Sequence, residues 1–122
     1  MNDKIHFGQF LSEHRLSHSM NCREMADQLA ISISYLSQIE HGLKTNPNLE
    51  LLEDFARILQ LNKEEIETLY DLYAKANGTL SPDAAVYAAS RPIVVQALRA
   101  ARDANATDAD WMKFIDWLKE KR

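Results

Sequence analysis

The chain has 122 residues and a formal net charge of −4, with 46% hydrophobic and 26% charged residues. Those proportions belong to a globular protein with a core to bury and exclude a disordered tail, and the length excludes two large domains. The acidic balance works against any broad electrostatic hold on nucleic acid, which depends on neutralising phosphates, so a surface of that kind has to be local.

Only 3 Gly and 3 Pro interrupt the chain, and no stretch alternates apolar and polar residues for long, so an all-α protein is expected. The first helix is expected from about Ile5 to Ser17, with Ile5, Phe7, Phe10, Leu11 and Leu16 supplying apolar surface. Asn21 then offers an N-cap, Glu24 stands three residues on as in a capping box, and Met20 and Met25 occupy staple positions, so a second helix starts at Cys22. The signal repeats ten residues later with Ser32 as cap and Ile31 facing Leu36, which makes the second helix short and runs a third from Ile33 to about His41. Gly42 suits the left-handed conformation that ends a helix, and Leu43 to Pro47 reads as a loop.

Asn48 caps a fourth helix carrying Leu49, Leu52, Phe55, Ala56 and Leu59 at helical spacing. Asn62 caps a fifth, with Glu65 completing a box, Leu61 opposite Ile66, a stripe of Ile66, Leu69, Tyr70, Tyr73 and Ala76, and Gly78 as its stop. Beyond Gly78 the chain becomes alanine-rich. Ser81-Pro82 opens a short helix to about Ser90, Pro92 opens another with Ile93, Val94, Ala97, Leu98 and Ala101, and Thr107 with Asp110 opens the last, striped by Trp111, Phe114, Ile115 and Leu118. A soft boundary near Gly78 to Ser81 divides the chain into residues 1–78 and a C-terminal helical module, 79–122.

Two short helices joined by a tight turn, with small Ala26 at their crossing and apolar Met25, Leu29, Leu36 and Ile39, form a helix-turn-helix pattern. In that geometry one helix lies across the DNA backbone while the next enters a groove about 12 Å wide. The outer face of the third helix is then Ile33, Ser34, Ser37 and Gln38. Gln38 can bond adenine bidentately, serine can donate or accept, and Ile33 suits a thymine methyl. No acidic residue lies between Ile33 and Ile39, and Arg23, His41, Lys44 and Lys4 are candidates for phosphate contacts. Taken alone, these polar positions read equally well as a solvated helix face.

The run MNCREMADQLAISISYLSQIEHGLKTNPNLELLEDFARIL resembles the Cro/phage-repressor (Xre) family of helix-turn-helix regulators, over roughly the first 65 residues. Within that family it is similar to the SinR-type repressors in Tyr35-Leu36-Ser37, Ile39-Glu40 and Thr45-Asn46-Pro47. The resemblance implies a five-helix, lambda-repressor-like domain and a sequence-specific regulator of double-stranded DNA, with repression the expected effect. It implies a structural pair between Arg15 and Glu40, base contacts from Ile33, Ser34, Ser37 and Gln38, and backbone contacts from Cys22, Arg23 and the Lys44, Thr45 and Asn46 loop. Two departures stand out: Ala30 replaces the usual turn glycine and has to adopt a left-handed conformation at about 1 kcal/mol, and Cys22 stands where glutamine is frequent.

A regulator this small is expected to act as a homodimer on two half-sites, and the C-terminal module is the expected dimerisation segment. The resemblance also implies capture of that segment by an antagonist protein. Trp111, Phe114 and Leu118 share a face of the last helix, whereas Trp117 lies about 120° away, either anchoring a subunit or partner contact or packing within a wide buried face.

Lone Cys22 cannot form an internal disulfide, and a redox role for it is a minor alternative. Met1-Asn2-Asp3-Lys4 lacks the apolar core of a signal peptide and no run approaches the roughly 20 residues of a membrane span, so a cytoplasmic protein is expected. His14 and His18, four apart, have the spacing of a metal clamp, but no HExxH motif or third ligand accompanies them, so a solvated pair with neither metal nor cofactor is expected. With no phosphate loop or nucleophile signature, an enzyme is not expected. The competing reading is an antitoxin or anti-repressor that chiefly binds another protein, such as a toxin, and uses DNA only for autoregulation.

Overall fold

A computed structural model describes residues 2–121, which contain eight helices and no strand. In chain order these are α1 (Asp3–Ser17), α2 (Cys22–Leu29), α3 (Ile33–Glu40), α4 (Leu49–Ile58), α5 (Lys63–Asn77), α6 (Pro82–Ala89), α7 (Pro92–Asp103) and α8 (Asp108–Glu120). Two compact units divide the chain between Ala85 and Val86. No described helix is long and apolar enough to cross a membrane.

Local capping chemistry sets most of the boundaries. Asn21 with Glu24, Asn62 with Glu65 and Thr107 with Asp110 each form a reciprocal box, in which the cap side chain accepts from the backbone three residues on and the acid accepts from the cap's own N–H. Ser32 and Asn48 accept from the N–H groups of Tyr35 and Leu51. The first helix begins two residues before the expected Ile5 because Asn2 accepts from Lys4 N–H and supplies the cap there. Ser81 departs from expectation: its hydroxyl donates to the Asp83 carboxylate at 2.6 Å, so the proline at the first position of α6 starts that helix.

In the first unit α1 packs on α5 and α3, and α2 packs on α3 and α4. Phe7, Leu11, Met25, Leu36, Ile39, Leu52, Phe55 and Leu69 are completely buried where these helices meet. Each contributes about 1.5–3 kcal/mol of hydrophobic stabilisation. Phe7 also meets the ring of Tyr73 edge to face, with centroids 5.7 Å apart. Ile5, Leu16 and Leu49, expected on the apolar stripes, are exposed instead. They sit at the first or last turn of their helices, beyond the reach of the neighbouring helices.

Gly8 sits in the middle of α1 and is buried. A β-carbon there would run into the backbone of Glu40 and lie 2.6 Å from the Ile39 carbonyl oxygen. Glycine at this position lets α1 cross directly over the end of α3.

The second unit contains no buried side chain in α7 or α8. Ile93, Leu98, Phe114, Ile115, Trp117 and Leu118 are all exposed. Short helices so few in number offer too little surface to cover one another's apolar faces.

Candidate nucleic-acid interface

The α2–turn–α3 corner is built from the inside out. Met25, Ala26 and Leu29 of α2 and Leu36 and Ile39 of α3 are buried, so the opposite faces of both helices point outward. Between them Ala30 adopts φ 58°, ψ 39°, the left-handed turn required of it, and donates its N–H to the Ala26 and Asp27 carbonyls. Ser32 then caps α3, which has no acid in its first turn.

On the outer face, Ile33 (38% exposed) and Ser34 are open to solvent, and Ser37 and Gln38 are half-buried. His41 follows as the exposed C-cap; its Nδ1 donates to the Ser37 carbonyl at 2.7 Å and lies 3.3 Å from the Ser37 hydroxyl. Arg23 is exposed on the first turn of α2, beside half-buried Cys22. Lys4 and Lys44 are exposed too. The N–H groups of Leu43 and Lys44 both donate to the Gln38 carbonyl, folding the loop after α3 back against that helix.

Thr45 and Asn46 are held from a distance that sequence pattern does not reveal. Asn77 of α5 donates from Nδ2 to the Thr45 carbonyl at 2.6 Å and accepts from the Thr45 hydroxyl at 3.3 Å. Tyr73, one turn earlier, directs its hydroxyl to Asn46 Oδ1 at 2.7 Å and to the Pro47 carbonyl at 3.0 Å. Thr45 thus spends its hydroxyl proton inside the domain, while exposed Asn46 uses only the oxygen end of its amide.

The one acid in α3, Glu40, turns away from the outer face to meet Arg15. Arg15 Nε and Nη2 donate to its two carboxylate oxygens at 2.8 and 3.0 Å, and Arg15 Nη1 donates to the Met20 carbonyl at 2.8 Å. The hydrogen bonds to Glu40 raise the Arg15 pKa above its ordinary value. The charge of Glu40 is thereby neutralised locally and does not oppose a polyanion approaching α3.

His14 is half-buried and His18 is exposed, and both rings also make hydrogen bonds within the domain. The His14 Nδ1 lies 2.9 Å from the Phe10 carbonyl and its Nε2 3.2 Å from Glu65 Oε2, while His18 Nε2 lies 2.7 Å from the Leu59 carbonyl. The His14 ring thus ties α1 to α5, and the His18 ring ties the C-cap of α1 to the end of α4. No cluster of three metal-ligating side chains occurs among the described residues.

In α8 the aromatic side chains form a ladder. Trp111 and Phe114 meet edge to face at 6.1 Å, Phe114 and Trp117 stack at 5.9 Å, and Lys121 Nζ lies 5.3 Å over the Trp117 ring. Phe114, Trp117 and Leu118 are exposed and Trp111 is half-buried. Phe114 and Trp117, three residues apart, are neighbours on the helix surface, so Trp117 joins the ladder although it lies about 120° from Trp111 on the helical wheel.

Comparison with known proteins places this corner in context. A family model described as a helix-turn-helix domain matches residues 6–69. Two curated relatives, the HTH-type transcriptional regulators SinR of Bacillus licheniformis and of Bacillus subtilis (strain 168), are each 33% identical over 69 residues. The aligned part is 52% of this chain and 62% of each relative, so the chain spans less than two thirds of their length. No solved structure matches.

Proposed function

We propose, from the premise that the chain belongs to the helix-turn-helix domain family, that it is a transcriptional regulator binding double-stranded DNA sequence-specifically, with α3 in the major groove. The observation that carries the reading is the outer face of α3. Ile33, Ser34, Ser37 and Gln38 lie on a solvent-accessible ridge whose inner side is locked by buried Leu36 and Ile39, and whose one acid is paired with Arg15. Gln38 and the two serines supply base-edge hydrogen bonds, and Ile33 an apolar contact. Arg23, His41, Lys44 and Asn46 surround the ridge and suit phosphate contacts that fix register, with Cys22 and Thr45 contributing backbone groups. The likeness to two SinR transcriptional regulators supports a role in regulating transcription, and repression is the effect that the resemblance to SinR-type repressors implies.

The second unit is the proposed dimerisation module. Its exposed Phe114, Ile115, Trp117 and Leu118 form an apolar surface that a second copy would cover. The acidic start of α8 at Asp108 and Asp110 and its basic end at Lys119 and Lys121 suit two copies laid antiparallel. The same exposed surface supports the rival reading of a chain that chiefly binds an antagonist or toxin protein.

Selection of duplexes from a random pool by the purified full chain, followed by anisotropy titration over a range of salt, tests the reading. A single enriched sequence whose affinity falls steeply with salt is expected. Absence of binding to any duplex at low salt would overturn it and favour the protein-binding alternative.

A further inference from the structure

Tyr73 belongs to α5, which supplies none of the groove-facing or phosphate-facing residues, yet its hydroxyl is aimed at the loop that does. The ring is fixed edge to face on fully buried Phe7, and the hydroxyl reaches Asn46 Oδ1 at 2.7 Å and the Pro47 carbonyl at 3.0 Å. Both are acceptors, so the phenol is the donor. Burial, with nearby Tyr35, holds the Tyr73 phenol above its ordinary value of 10.0, and it therefore keeps its proton at neutral pH.

An amide whose oxygen is occupied presents its nitrogen on the other side. Asn46 is exposed, and its Nδ2 has no hydrogen-bond partner among the described residues. The backbone beneath it is clamped by Asn77, which donates to both the Thr45 and Tyr73 carbonyls at 2.6 and 2.9 Å. The loop between α3 and α4 is thus pinned at two adjacent residues by two side chains of one helix, and the N–H₂ group of exposed Asn46 is left without an internal partner among the described residues.

We propose that Tyr73 is a positioning residue for DNA-backbone recognition: it fixes the Asn46 amide so that Nδ2 faces outward and donates to a phosphate oxygen flanking the α3 site. The inference rests on the DNA-binding reading above and adds to it a residue that never touches DNA. Because Asn46 is neutral, its contact strengthens binding to every sequence without releasing a counterion, unlike a contact from Arg23 or Lys44.

Anisotropy titration of the full chain, with a selection-enriched duplex and a random-sequence duplex as probes, tests it. Tyr73→Phe is expected to weaken both by about three- to tenfold, the worth of one hydrogen bond, with the salt slope unchanged. Asn46→Ala is expected to do the same, and adding Tyr73→Phe to it should cost less than about twofold more, since coupled residues are non-additive. Should Tyr73→Phe lower the melting temperature enough to blur the result, Asn46→Asp carries the test. It keeps an acceptor for Tyr73 and replaces the outward donor with a carboxylate, so a loss exceeding that of Asn46→Ala is expected. Wild-type affinity in Tyr73→Phe or Asn46→Asp, or a full Tyr73→Phe effect in the Asn46→Ala background, would overturn the positioning role alone. A wild-type chain that binds neither duplex overturns the DNA reading with it.

Discussion

Arg15 and Glu40, 25 residues apart in the chain, meet fork to fork through two hydrogen bonds of 2.8 and 3.0 Å, with side chains only 10% and 6% exposed. The pair joins α1 to the end of α3 and so helps to set the tilt of α3. Removing one partner strands the other charge, and Glu40→Ala is expected to cost about 3–5 kcal/mol. Replacing both, as in Arg15→Met with Glu40→Leu, should restore much of that loss. Urea unfolding of the three variants checks the pattern, and equal losses for single and double variants would contradict it.

Gly8 lies beside the same junction. Alanine is normally the better helix former by about 1 kcal/mol, yet a methyl group at Gly8 has no room against the Glu40 and Ile39 carbonyls. Gly8→Ala should therefore destabilise by about 1–3 kcal/mol through overpacking. A raised melting temperature would show that the crossing of α1 over α3 is looser than this contact demands.

Base readout and phosphate grip are expected to separate. Gln38→Ala should lower affinity for the preferred sequence by about 1–3 kcal/mol and leave random DNA almost untouched. Arg23→Ala should weaken all duplexes alike and flatten the salt slope by about one. Parallel titrations reveal the division, which identical behaviour of the two variants would refute.

Glu65 links the α5 capping box to α1. The Asn62 backbone N–H, and then His14, hold its carboxyl below the ordinary 4.5. A lowered folded-state value means that Glu65 stabilises the fold at neutral pH and loses that contribution as acidification protonates it. Glu65→Gln should therefore be less stable than wild type near neutrality, with the gap closing below about pH 4. Denaturation midpoints measured across that range decide it; a gap independent of pH would assign the loss to packing.

Trp117→Ala is expected to reduce the light-scattering mass from dimer to monomer at micromolar concentration, since aromatic residues dominate subunit contacts. A variant that stays dimeric would move the joint away from the α8 ladder. A monomeric wild type would point instead to a different protein as the occupant.

The parts of this molecule that were readable in advance are those governed by chemistry within four residues. The Asn21–Glu24, Asn62–Glu65 and Thr107–Asp110 boxes close as their spacing requires, and Ala30 takes the left-handed turn despite its β-carbon. What escaped prediction depends on partners far away in sequence. Nothing around Gly8 announces the Glu40 backbone, nothing around His14 and His18 announces Glu65 and the Leu59 carbonyl, and Tyr73 reads simply as one more apolar position on a stripe. Periodicity likewise located the apolar faces of α7 and α8 without showing whether anything covers them.

The eight residues of α3 have a consequence for addressing. At 1.5 Å per residue the helix is about 12 Å long, and on the proposed reading it faces only about four base steps. A word of four letters recurs by chance every few hundred positions, so a genome offering about a million sites or more holds thousands of equally good matches. A solitary molecule with so short a reading head is nearly uninformative about location, and unique occupancy becomes a property of cooperating copies.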